Sequence, residues 1–311
     1  MMRLSDRFTA LVLGGLLCCA VASAQGTEAL PFIRIDRNPV SAGMGFAGAA
    51  STSATAYSSF RNSAVIPFSA KTMDLGFNYQ GWAPSGVKNT NLNFGGAYKL
   101  SEKMGFSIGG AYQMGQEYEI FDASGHAKGT FKPSDMVLNA GVGFLLTESL
   151  SLGVNARYAS QGLADGVSLS AFCADAFLLY RMGGVNMTAG ISSIGSSVKG
   201  DDGASYKLPA SATIGVDWNT TFSGVHGIEL AADADYFLSG NIAAAFGAQY
   251  GYNDLFFLRA GLHVGTGNAV LPTFVTLGAG VKFSGISINL AYLTANEVIG
   301  NTITAGIGYS F

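Results

Sequence analysis

Three groups of residues have the types and spacing that chemistry asks for. Gly43, Gly45 and Gly48 in "SAGMGFAG" spell G-x-G-x-x-G, the pattern of a loop that brings its backbone close to a pyrophosphate. Glu229, Asp233 and Asp235 in "GIELAADADYF" share one parity. A strand would put all three carboxylates on one face, and such oxygens suit calcium. Asp201 and Asp202 in "KGDDGAS" make a second acidic group of that kind. His126, His226 and His263 are the three imidazoles a general base could be drawn from.

The surroundings favour plainer roles. A dinucleotide fingerprint needs a buried strand before it, a helix after it and a βαβ unit, whereas strand-type sequence follows here. Glycine and alanine in this stretch are read instead as letting a backbone lie close to another surface. The strand acids are expected to pair with bases from other strands, such as Arg181, Arg259 or Lys282, and the Asp201–Asp202 tip to be solvated. His126 and His226 fall in connections, and His263 shares a face with Arg259. A hydrolase would have to bring a serine and an acid to one of these rings. We therefore expect no enzyme, no metal site and no cofactor.

The elements that position these residues follow from composition. Charged residues make up 12% of the 311, beside 43 glycines and 49% apolar residues; soluble domains carry roughly 25% charge. A soluble sandwich or propeller would lack material for its outer faces, which points to lipid. The start, "MMRLSDRFTALVLGGLLCCAVASAQ", has Arg3 and Arg7, an apolar stretch and then Ala22-Ser23-Ala24, the form of a secretory signal. Residues 1–24 are expected to be removed, leaving Cys173 alone, without an intrachain disulfide. The net charge of −3 offers no field for nucleic acid.

Beyond the leader no apolar run reaches about 18 residues, so a spanning helix is not expected. The remaining membrane solution is a closed barrel with every backbone group paired between strands. About fourteen segments alternate with period two, from "TMDLGFNYQGW" to "NTITAGIGYSF", an even number as single-chain outer-membrane barrels require. Their connections alternate between long and short, "LSGN" being a short one in a long position. In "AFCADAFLLYRM", Phe172, Ala174, Ala176, Leu178 and Tyr180 form an apolar face opposite Cys173, Asp175 and Arg181. Charges facing lipid cost several kcal/mol, about 2–4 for a basic residue at the midplane. Asp175, Arg181, Glu229, Asp233, Asp235, Arg259 and Lys282 are thus expected in the lumen. Tyrosines near strand ends, such as Tyr98, Tyr112 and Tyr250, suit the interfacial girdles.

The expected fold is an all-β transmembrane antiparallel β-barrel of about fourteen strands. Residues 25–71 lack the strand rhythm and are expected to form an amino-terminal plug, with residues 72–311 as the barrel. A lumen of that size has room for an insert.

"PFIRIDRNPVSAGMGFAGAASTSATAYSSFRNSA" resembles the amino-terminal signature of the PorV/PorQ family of Bacteroidetes outer-membrane barrels, relatives of the FadL fatty-acid channel. Gly43, Met44, Gly45, Gly48, Asn62 and Ala64 fit its pattern, as do Ala42 and Ala47, while Ser63 stands where proline is usual. The resemblance implies an outer-membrane partner of type IX secretion and surface attachment, binding exported cargo or secretion subunits through its outer loops. It also leaves an alternative, a FadL-like channel for hydrophobic small molecules. Tyr309 and the terminal Phe311 resemble the signal read by the outer-membrane insertion machinery.

Overall fold

The computed structural model describes residues 28–82, 89–121, 124–164, 166–199, 205–266, 271–294 and 301–311. The leader, Asp201 and Asp202, and most of the connections at 83–88, 267–270 and 295–300 lie outside the described residues.

Each period-two segment forms a strand. In chain order they are β1 (Met73–Trp82), β2 (Asn89–Ser101), β3 (Met104–Met114), β4 (Tyr118–Phe121), β5 (Ala127–Phe131), β6 (Ser134–Thr147), β7 (Leu150–Ala164), β8 (Val167–Met182) and β9 (Val185–Gly195). The rest are β10 (Val198–Lys199), β11 (Ser205–Tyr206), β12 (Ser211–Phe222), β13 (His226–Phe237), β14 (Ile242–Tyr252), β15 (Phe256–Gly265), β16 (Phe274–Phe283), β17 (Ile286–Leu293) and β18 (Thr302–Ser310). Fourteen of them close an antiparallel barrel in which β18 pairs with β1. Closure is in register, Phe77 opposite Ile307 and Asn78 opposite Gly306.

Two hairpins stand outside the closed sheet, β4–β5 and β10–β11. Both lie in stretches expected to be long connections. β7 and β8 also run past the alternating segments, to Ala164 and from Val167. Beyond the bilayer a hairpin needs no apolar face, so alternation fades before the pairing does.

Short turns lie on one rim. Asn253 and Asp254 in the β14–β15 turn both have positive φ (56° and 51°), the backbone that matches the twist of a tight hairpin and that Asn and Asp tolerate. The outer surface is apolar. Phe172, Phe246, Leu258, Leu277, Leu290, Ile303 and Ile307 point outward and are exposed. Tyr98, Tyr112, Tyr180, Tyr250, Tyr292 and Tyr309, near strand ends, are exposed too. Inward positions carry amides and hydroxyls, and Asn78, Gln80, Asn91, Asn93, Asn155 and Thr276 are buried. That inversion of the soluble pattern is the physical signature of a lipid-embedded cylinder.

Candidate functional site

The interior is occupied by the amino-terminal segment. At the rim of long connections the Ala29 N–H donates to the Lys207 carbonyl (2.9 Å). At the rim of short turns the Thr72 N–H donates to the Phe311 carbonyl (2.6 Å). The segment therefore runs the length of the lumen, and three contact zones hold it there.

The first zone is the glycine motif. Gly45 has φ +69°, and a Cβ on it would stand 2.5 Å from the Leu262 nitrogen. On the wall, a Cβ on Gly261 would meet the Gly45 nitrogen and the Met44 carbonyl carbon at 2.0 Å. Only glycine on both surfaces allows this approach. The Gly45 N–H donates to Thr276 Oγ1 (2.8 Å). Gly43 lies over Gly278. Met44 is buried beside Ala47, Ala231 and Ala245.

The second zone centres on Asp233, whose Oδ2 accepts the Gly48 and Ala49 N–H groups (2.7 and 3.0 Å) and Arg61 Nη2 (2.7 Å). Arg61 Nη1 also reaches Asp36 (3.2 Å) and the Phe46 carbonyl (2.6 Å). Burial opposes the Arg61 charge, and the carboxylates of Asp233 and Asp36 compensate it.

In the third zone, residues Ser63–Phe68 form a short helical turn capped by Asn62, whose Oδ1 accepts the Ala64 N–H (2.9 Å). The Asn62 amide donates to the Ala49 carbonyl (2.8 Å) and Thr188 Oγ1 (3.1 Å). The Ala64 carbonyl accepts Ser151 Oγ (2.6 Å). A Cβ on Gly153 would meet the Ala64 nitrogen at 2.1 Å. Ser63, in the place of the usual proline, is buried with its hydroxyl within 2.8 Å of Ser107 Oγ.

The inward acids find different partners from those expected. Bases on other strands were to neutralise Glu229, Asp233 and Asp235; instead Arg61 and Arg34 of the amino-terminal segment meet Asp233 (2.7 Å) and Asp235 (3.4 Å). Glu229 accepts Gln249 Nε2 (2.8 Å) and the hydroxyls of Ser51 and Ser53 (2.5 and 3.1 Å). Arg181 donates to Asn186, Thr52 and the Phe68 carbonyl, and Arg259 to Gln249 and Asn289. Lys282 sits at the rim on Asp254 (2.6 Å). The physical reason is the threaded segment, which brings Arg61 and Arg34 within ion-pair distance of Asp233 and Asp235. Asp175 alone follows the cross-strand pattern, with Arg157 Nη2 at 3.0 Å.

Sequence reasoning passed over Arg34, Asp36, Arg37, Arg61, Asp74 and Arg157. "RIDR" at 34–37 was the available signal, a cluster of charges in a chain poor in them. Asp74, at the start of β1, accepts the Thr55 and Ala56 N–H groups (2.8 and 3.1 Å) and Lys71 Nζ (3.0 Å).

A cavity of about 130 Å³ remains between segment and wall. It is lined by Arg34, Arg37, Arg61 and Arg157, by Phe46, Phe60, Phe177, Phe237 and Leu271, and by Asp36, Asp235 and His263. The His263 ring stacks on Phe274 (4.8 Å between centroids) and meets Phe46 edge-on (6.0 Å). Among the described residues no group of three or more His, Cys, Asp or Glu side chains converges as a metal-binding set.

An apolar exterior around a closed, in-register cylinder with polar residues inside defines an outer-membrane β-barrel protein, and the outer membrane is where it resides. The family model described as "Type IX secretion system protein PorV" matches residues 21–239. The chain belongs to this PorV family. Its fold and family are those of a secretion component or a transport channel. No functionally curated protein matches it in sequence.

Solved structures share the architecture. The toluene transporter TbuX of Ralstonia pickettii is similar with a TM-score of 0.61 and 13% identity, over 88% of this chain and 97% of its own. The toluene transporter TodX of Pseudomonas putida gives 0.60 and 15%, over 93% and 99%. A FadL homologue of Pseudomonas aeruginosa gives 0.52 and 13%, over 88% and 96%. At such identities the likeness is one of fold.

Proposed function

We propose that this chain serves type IX protein secretion and surface attachment by binding exported cargo or partner subunits through its extracellular loops. The family match carries the reading. The hairpin β4–β5 supports it, because it projects outside the closed sheet with the rings of Tyr118 and Phe121 exposed. Aromatic side chains presented on a two-stranded support are a common anchor for protein contact. In this reading residues 1–24 are a removed signal, residues 25–71 plug the barrel of residues 72–311, and Tyr309 and Phe311 guide insertion. Asp175, Arg181, Glu229, Asp233, Asp235, Arg259 and Lys282 keep the lumen polar and the plug seated rather than acting on a substrate.

The alternative is a FadL-like channel for hydrophobic small molecules. The partly aromatic cavity favours it. Every neighbouring pair in the closed sheet shares paired residues, and the β8–β9 register breaks between Ala174 and Ala176.

Affinity isolation of the tagged protein from native outer membranes separates the two. The proposal expects secretion-system subunits or exported cargo to co-purify, and to be lost when residues 118–131 are replaced by a short turn. Isolation without such partners, together with a growth defect of the deletion strain on apolar nutrients, would favour the channel.

A further inference from the structure

Arg37 is the one lining arginine of the lumen cavity that has no carboxylate within ion-pair distance among the described residues; Asp135 and Asp36 act on it from farther away. Arg34 pairs with Asp235, Arg61 with Asp36 and Asp233, and Arg157 with Asp175. Arg37 is 3% exposed, its Nη2 donates to the Phe32 carbonyl (2.9 Å), and its Nη1 has no partner. His263, 6% exposed, lines the same cavity with its ring set against the Gly45 backbone. Buried donors in native proteins are nearly always satisfied. Arg37 Nη1 therefore marks a place where something polar is received, with Ser58 Oγ a second unpartnered atom on the same lining.

We propose that the cavity binds a small carboxylate with a compact apolar body, its anionic end on Arg37. Size limits the body. About 130 Å³ is close to the roughly 150 Å³ apolar cavity that takes benzene, so the ligand is of the order of a single ring or a short branched chain. Phe46, Phe177, Phe237 and Leu271 supply the apolar walls. A neutral hydrocarbon would leave Arg37 unpaired, and an organic cation would be repelled by it. The planar guanidinium matches a carboxylate with two parallel hydrogen bonds. The site does not depend on the secretion reading.

The test is equilibrium dialysis of the full-length protein, folded in detergent, against radiolabelled benzoate. Expected is saturable binding that unlabelled benzoate displaces and benzylammonium does not. Arg37→Gln should weaken it by about tenfold or more, with the heat-dependent gel shift of a folded barrel retained. Ala243→Leu, which fills part of the lining with Arg37 intact, should reduce binding as well. The proposal is overturned if the wild-type protein shows no saturable benzoate uptake, or if folded Arg37→Gln binds benzoate as tightly as wild type. Either result would leave partner isolation, and the secretion reading with it, unaffected.

Discussion

Arg61 is where the insert and the wall are tied most tightly. Its guanidinium spans Asp36 on the segment and the fully buried Asp233 carboxylate on β13. Replacing it with methionine leaves a buried acid uncompensated, which costs about 3–5 kcal/mol when a buried pair is broken from one side. Urea unfolding of the detergent-folded protein should show a loss of that order. The double variant Arg61→Met, Asp233→Asn should recover part of it, since Asp233 is then neutral while Asp36 keeps its charge. A second residue-scale expectation concerns close approach. Gly261→Val would place side-chain atoms where the Met44–Gly45 backbone runs, so limited proteolysis should cut the amino-terminal segment faster. Gly227→Ala, whose added Cβ meets nothing nearer than 4.0 Å, should leave the rate unchanged.

Strands carry the next level. A period of two assigns each side chain to lipid or lumen, and that alone made the barrel strands legible, from Met73 through to Ser310. What the period could not show was pairing outside the bilayer. β4 and β5 carry charged residues among their aromatics and are solvated on both faces, so they read as loop. The lumen partners were hidden for a related reason. Alternation reports which way Asp233 and Asp235 point, whereas their neutralisation by Arg61 and Arg34 depends on how residues 28–71 thread the cylinder. The glycine triplet was visible as a motif, and its wall counterparts Gly261 and Gly278 looked like ordinary strand glycines. At this scale Leu290→Arg, on the outward face of β17, should cost about 2–4 kcal/mol if it lies near the midplane. The check is a comparison of folding yields into lipid vesicles with Leu290→Ala, and equal yields would count against a lipid-facing β17.

The whole molecule combines a lipid-facing exterior with an interior largely filled by its own chain. Fourteen strands enclose more space than an eight-stranded barrel packed with side chains, and less than an open sixteen-stranded pore. Here the amino-terminal segment takes up much of that space, held by Thr276 and Asp233 at the glycine motif, Ser151 under Ala64, and Asp74 near the rim of short turns. Such a filled cylinder suits a secretion-family member that works through protein contacts at its rim better than one that conducts solutes. Electrical conductance across a planar bilayer tests this most directly. The account predicts that the wild-type protein inserts with little or no steady current, and that Gly261→Val, by unseating the segment, opens measurable conductance. A stable, ohmic open-pore current from the wild-type protein, unchanged in Gly261→Val, would contradict it.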